Sequence, residues 1–242
     1  MRITRLHFPN LLIFLCLLAF NVSPGIASEA RLQPFQANYS LYISGLHVGN
    51  SKLTLSQSGN LWRWQTLSKP RGIYSLVTNK KPYSETTFLL KANRHHIQNI
   101  LLSDEGDKNL YETAQFDWQR QQMKVLRKKI TSSVTLDGDV YDYHSINWQM
   151  AKMMVAGQTD AVVDFYLKGE IVKSDIKKIE DKNLQIAGRL ITAVVYELST
   201  EDKESKLRYF YDPAKPLLPL KIEKIAPGKK TSILLLKNFA WH

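Results

Sequence analysis

The alternation of apolar and polar residues that begins at position 35 restricts the fold of this chain more than any other feature. From Phe35 to Ile43 the odd-numbered positions are all apolar, whereas the even-numbered positions are mostly polar. Successive side chains of a β-strand point to opposite faces of the sheet, so this pattern is typical of a strand with one buried face. Gly45 and Gly49 then bracket a turn into a returning strand. The segment therefore predicts a β-hairpin.

Strand patterns recur along most of the remaining chain, with one interruption. Ser145 stands at a helix N-cap position before the amphipathic stretch from Ile146 to Ala156, and Gly157 ends it. We expect about a dozen strands and this single helix. The predicted fold is all-β, with a large curved antiparallel sheet that forms an open barrel or β-spiral around one short internal helix. Further strands are predicted at residues 52–56, 61–67, 83–90, 97–102, 111–118, 123–130, 161–167, 170–179, 184–186, 190–198, 207–211, 218–225 and 232–239.

The first 27 residues have the features of a secretory signal peptide. Arg2 and Arg5 precede ten consecutive apolar residues, from Leu11 to Phe20, and Ala27 is a small residue at the predicted cleavage position. A helix of that length spans roughly 15 Å, about half of a bilayer core, which argues against a membrane anchor. We therefore predict a periplasmic protein that begins at Ser28 and forms a single β-rich domain over residues 28–242.

The one cysteine of the chain, Cys16, lies inside the predicted signal peptide and not at its cleavage site. We therefore expect an exported protein without disulfides and without a lipid anchor. About 215 residues can bury a sufficient core without such cross-links.

The formal net charge of +11 falls to +9 when Arg2 and Arg5 are removed with the signal peptide. An exported protein has little access to nucleic acid, so we expect no nucleic-acid partner. Anionic headgroups attract a basic surface by about 1 kcal/mol per well-placed lysine or arginine. Peripheral contact with an anionic membrane is therefore one interpretation of the charge, and solubility alone is the other.

Both ends of the strand region resemble a known family. The opening FQANYSLYISGLHVG, the segment Lys69-Pro70-Arg71-Gly72 and the closing LRYFYDPAKPLLPLKIE are similar to the domain of unknown function 3108 family, from about Phe35 to Phe239. The resemblance implies an envelope protein of Gram-negative bacteria with a curved β fold. It supplies no catalytic residues.

Motifs for catalysis or metal binding are weak in this sequence. His95 and His96 are adjacent and would point to opposite faces of a strand, so we expect them in an exposed loop rather than at a metal. The acidic run at 137–142 lacks the spacing of an EF-hand and predicts a polar turn. No G-x-S-x-G motif surrounds any serine, although His144 and Ser145 are neighbours. We predict no catalytic residues, no metal and no cofactor, and hence a protein that is not an enzyme.

The aromatic residues and a methionine stripe leave two hypotheses for the function. The first is an envelope protein that binds a lipid or another hydrophobic ligand in an apolar groove, under the helix as a lid. The second is a structural or interaction protein with a solid core that supports the envelope through a protein partner. The candidate ligand-binding residues are Trp62, Trp64, Phe116 and Trp118 on strands and Met150, Met153 and Met154 on the helix. An internal cavity would favour the first hypothesis, and a packed interior would favour the second.

Overall fold

A computed structural model describes residues 32–91, 94–104, 111–186, 188–200, 203–228 and 230–242. The predicted signal peptide, residues 1–27, lies outside the described residues. Within the described part of the chain, none of the helices has the length and apolar composition that a membrane span requires.

The described residues form fifteen strands and two helices. The first half comprises β1 (Phe35–Ile43), β2 (Leu46–Ser58), β3 (Leu61–Pro70), α1 (Tyr74–Val77), β4 (Pro82–Lys91), β5 (Arg94–Asp104), β6 (Glu112–Asp117), β7 (Gln122–Arg127) and β8 (Ile130–Thr135). The second half comprises β9 (Val140–Tyr141), α2 (Ile146–Val155), β10 (Asp160–Leu167), β11 (Glu170–Ile186), β12 (Arg189–Thr200), β13 (Lys203–Tyr211), β14 (Pro219–Ile225) and β15 (Ser232–Trp241).

All fifteen strands belong to one sheet with the order β8-β7-β6-β5-β4-β3-β2-β1-β15-β14-β13-β12-β11-β10-β9. It consists of two antiparallel meanders that meet where β1 pairs with β15, while the short β9 runs parallel to β10. The sheet is not closed, because β8 and β9 remain as its two edges. The predicted all-β fold with an open, curved antiparallel sheet is confirmed.

The first hairpin is tighter than the glycine positions predict. Ser44 and Gly45 form a two-residue turn with φ angles of 49° and 78°, which suits the twist of the flanking strands. Gly49 lies inside β2 instead of closing the turn. A Cβ atom at Gly49 would stand 2.5 Å from the carbonyl oxygen of Lys69, so the close approach of β3 explains this glycine.

The helix α2 packs inside the curved sheet. Ile146, Met150 and Met153 are fully buried and pack with side chains of β10 to β13. Trp148 packs against a second cluster that contains Phe35 of β1. The predicted internal helix is confirmed at this position.

Three local predictions differ from the structure. The edge strand β8 was not predicted, because its residues are mostly polar and exposed. The segments predicted as two strands at 170–179 and 184–186 form the continuous β11, with a register shift between Ile179 and Lys182. His95 and His96 both lie in β5 and His95 is completely buried, so the expectation that they form an exposed loop was wrong.

Candidate functional site

The interior of the sheet holds a cavity of about 480 Å³. Its walls come from both meanders, with β1 to β6 on one side and β10 and β13 to β15 on the other. The lining surface is mainly apolar, and nine of its residues are aliphatic. These are Leu41, Leu53, Ile100, Leu102, Leu167, Leu207, Ile222, Ile233 and Leu234.

Strand alternation places these side chains in level rows across the sheet. Leu41 pairs with Leu234, Leu234 pairs with Ile222, and Ile222 pairs with Tyr209, so one row crosses β1, β15, β14 and β13. Two residues further along each strand, a second row points to the same face, as the pleat requires. Lys224 and Leu207 belong to that second row and also line the cavity.

A cluster of polar side chains interrupts the apolar wall. Thr66 of β3 and Ser84 of β4 present their hydroxyl oxygens 2.9 and 3.3 Å from Nε2 of His144. On the other side of the imidazole, Oγ1 of Thr86 lies 2.9 Å from Nδ1. The same Thr86 hydroxyl donates to Oδ2 of Asp142. All five residues line the cavity, and we call them the polar cluster.

The hydrogen bonds of the polar cluster fix the tautomer of His144. A carboxylate can only accept, so Thr86 donates its proton to Asp142 and must accept one from Nδ1 of His144. Nε2 then carries the lone pair and accepts from Thr66 or Ser84. Burial lowers the pKa of His144, which keeps the ring uncharged at neutral pH even though the nearby Asp142 and Glu85 carboxyls oppose this shift.

Asp142 is held in place by Ser145, the residue that precedes α2. Its Oδ1 accepts hydrogen bonds from the backbone N–H of Ser145 at 2.8 Å and from the Ser145 hydroxyl at 2.7 Å. The Ser145 hydroxyl is therefore bonded to Asp142 and makes no capping hydrogen bond to the helix, although Ser145 does occupy the predicted N-cap position. His144 and Ser145 do not form a nucleophile–base pair, because the Ser145 hydroxyl bonds to the carboxylate.

Three residues that line the cavity are exposed, Tyr143, Lys168 and Lys224, and we infer that the cavity opens to the surface beside the two lysines. Lys168 follows β10 and Lys224 lies near the end of β14, and both side chains are exposed. Deeper on this side, the buried Glu112 accepts a hydrogen bond from the Tyr166 hydroxyl at 2.7 Å and pairs with Arg127 at 2.8 Å. This carboxylate is satisfied by its neighbours, so the exposed charged residues that line the cavity are the two lysines.

None of the seven residues predicted to bind a ligand lines this cavity. Trp62 and Trp64 belong to the packed core, where the Trp64 ring lies parallel to His144 at 6.3 Å between centroids. Met150 and Met153 are buried in the core, and Met154 is half-buried beside them.

Phe116 and Trp118, the remaining two predicted residues, stack on each other at 5.9 Å and line a separate groove. The other residues of that groove are mostly polar or charged. A ligand contact for any of the seven stays a prediction.

Sequence reasoning missed the polar cluster, although β3 carried a signal for it. Trp62, Trp64 and Thr66 share one face of the strand, so a threonine stands where the alternation calls for a third buried apolar residue. A polar residue in the inward series of a strand indicates either a buried hydrogen-bond partner or a lined cavity. Here it indicates both.

Known proteins provide a fold comparison. A crystal structure of a β-barrel-like protein of domain of unknown function DUF1849 from Brucella abortus aligns with a TM-score of 0.55 at 11% identity, over 88% of this chain and 99% of that one. A Bacteroides fragilis protein with a YmcC-like fold aligns with a TM-score of 0.32 at 6% identity, over 87% of this chain and 97% of that one. The first similarity concerns the fold alone, and the second is too low to carry an argument.

No curated protein sequence matches the chain significantly. The profile described as protein of unknown function (DUF3108) matches residues 38–234, which is most of the strand region described above. The chain is therefore a member of the DUF3108 family.

Proposed function

We propose that this protein is a non-enzymatic periplasmic envelope protein that binds a lipid or another amphiphile in the cavity of its curved sheet. The observation that carries the proposal is the cavity of about 480 Å³, with aliphatic walls and one polar cluster. Small-molecule sites typically measure roughly 300–1,000 Å³ and combine apolar walls with a few polar groups that orient the ligand. The signal-peptide features of residues 1–27 support the periplasmic location.

The aliphatic walls would supply most of the affinity. Transfer of one methylene from water to an apolar site contributes about 0.8 kcal/mol, so a chain of about ten methylenes gains on the order of 8 kcal/mol before ordering costs. Leu41, Leu234 and Ile222 form one continuous row of this wall across three strands. An acyl chain would lie along that row.

The polar cluster would orient the ligand. Thr66 and Ser84 compete for the single lone pair on Nε2 of His144, so the hydroxyl that loses the competition is free to donate to a ligand. The cluster therefore offers hydroxyl donors to an oxygen of a ligand's carboxyl, ester or hydroxyl group.

The alternative function is a structural or interaction protein that supports the envelope through a protein partner. That function requires only a solid core and no interior space. The cavity supports ligand binding over this alternative, because filling it with side chains would stabilise a purely structural protein.

A displacement titration with a cavity-filling variant tests the proposal. A fluorescent fatty acid is bound to the purified protein and displaced with oleate, for the wild type and for Leu234→Trp. Leu234 lines the cavity, so the larger ring should occupy the ligand's space and weaken binding by about tenfold or more. The matched control is Leu190→Trp, since Leu190 is 73% exposed on β12.

Equal affinity of Leu234→Trp and the control would contradict the proposal, as would a wild type that binds no fatty acid. If Leu234→Trp fails to fold, Ile222→Trp fills the same row from the neighbouring strand. Urea unfolding of each variant separates a loss of binding from a loss of structure.

A further inference from the structure

Exposed apolar side chains lie beside the opening of the cavity. Ser232 lines the cavity and pairs with Ile43 of β1, which in turn pairs with Leu46 at the start of β2. On the opposite side, Ser232 pairs with the exposed Lys224. These pairings place Leu46 at the same end of the sheet as the opening, and its side chain is 62% exposed.

The segment after β3 adds two larger apolar side chains at this end. The backbone N–H of Arg71 donates to the carbonyl of Val48 at 2.9 Å, which holds the segment against the start of β2. Beyond it, Ile73 is 75% exposed and Leu76 is 84% exposed. The two are three residues apart at the helical turn α1, so they share one face.

Basic side chains surround these apolar residues. Lys168 and Lys224 flank the cavity opening, and Arg71 precedes Ile73 in the chain. At this end the exposed basic residues that the structure describes include Lys69, Arg71, Lys80, Lys128, Lys129, Lys168, Lys224 and Lys230. Glu170, in the turn after β10, is an exposed acidic residue among them.

We propose that this end of the molecule docks on an anionic phospholipid surface. We define the mouth face by Leu46, Ile73 and Leu76 together with Lys168 and Lys224. The three apolar side chains enter the interfacial region of the bilayer, and the lysines contact the headgroup phosphates. Docking then places the cavity opening against the lipid, so a ligand can pass between them without crossing water.

Charge complementarity selects a membrane as the partner of the mouth face. Exposed leucine and isoleucine with a surrounding excess of lysine and arginine match the headgroup and acyl layers of an anionic leaflet. The docking itself needs only this surface, whereas the exchange of ligand with the bilayer rests on the proposed function.

Cosedimentation with vesicles tests the docking. The purified protein is mixed with vesicles of phosphatidylethanolamine and phosphatidylglycerol, and with vesicles of phosphatidylcholine alone. The test variant is Ile73→Ser combined with Leu76→Ser. The matched control is Val162→Ser combined with Leu190→Ser, which replaces two exposed apolar residues on β10 and β12, away from the mouth face.

We expect the wild type and the control to bind the anionic vesicles, and the test variant to bind them about tenfold more weakly or worse. Binding should also fall with added salt and be weaker on phosphatidylcholine. Equal binding of test variant and control, or no binding of the wild type to anionic vesicles, would overturn the docking.

The fatty-acid titration keeps the two proposals separate. If the protein binds fatty acid but not vesicles, only the docking proposal is contradicted. If the protein docks through Ile73 and Leu76 but binds no fatty acid, only the cavity ligand is contradicted.

Discussion

At the scale of single residues, two buried histidines make this fold sensitive to acid. His95 donates one hydrogen bond from Nε2 to the carbonyl oxygen of Val140 at 2.8 Å, while its Nδ1 is buried without a partner among the described residues. Burial lowers the pKa of His95 to about 4, and burial also lowers the pKa of His144. Both rings are therefore neutral in the folded protein under conditions where they would charge in the unfolded chain.

This difference predicts a loss of stability between about pH 6.5 and about pH 4. The unfolded chain binds a proton at His95 near pH 6.5 and the folded protein does so only near pH 4, so the free energy of unfolding falls as pH falls through this window. From about pH 7.5 to about pH 5 the loss is about 2 kcal/mol for His95 alone. Urea unfolding at the two pH values measures it.

The variant His95→Gln should show a smaller dependence on pH than the wild type, because glutamine does not titrate. His47→Gln is the matched control, since His47 is exposed at the start of β2. If the free energy of unfolding depended on pH equally in His95→Gln and in the control, His95 would have the same pKa in the folded and unfolded chain, which would contradict this prediction.

At the scale of elements, α2 is a packed part of the core. A methionine stripe under an open sheet suggests an adaptable lid, and the sequence alone could not distinguish a lid from a core helix. The distinction depends on which strands surround the helix, and β10 to β13 follow it in the chain. Of the residues of α2, only Asn147 lines the cavity, and it is fixed by the Tyr211 hydroxyl at 2.9 Å.

A packed helix predicts large losses of stability on truncation. Met150→Ala and Met153→Ala should each lower the free energy of unfolding by about 2–5 kcal/mol, because both side chains are fully buried. Met154→Ala is the internal control and should cost less, since Met154 is only partly buried. Urea melts provide the measurement. Losses well under 2 kcal/mol at Met150 and Met153 would restore the lid interpretation.

The positions of the strands can be predicted from the sequence more readily than their long-range contacts. Alternation identified β1 and most later strands, since the burial of one sheet face is encoded within each strand. The polar cluster was not accessible in this way. Thr66 and His144 lie 78 positions apart, and only the curvature of the sheet brings β3 against the residues that precede α2. No local pattern encodes such a contact.

At the scale of the whole molecule, the cavity is a property of the open sheet. Two meanders joined at β1 and β15 curve toward each other, and α2 occupies part of the space between them. The remaining space is lined from both halves, so neither half could enclose a ligand alone. Sequence analysis predicted the curved sheet and its internal helix, but the seven residues it predicted to contact a ligand do not line this cavity, because the remaining volume depends on long-range packing.

The central claim is that the cavity holds an amphiphilic ligand in the cell, and native mass spectrometry tests it most directly. The protein is purified from its own cells under gentle conditions, together with Leu234→Trp and Leu190→Trp. We expect an added mass of one lipid-like molecule on the wild type and on Leu190→Trp, and its absence from a folded Leu234→Trp. Recovery of the wild type without any bound mass, or an equal bound mass on all three proteins, would contradict the account.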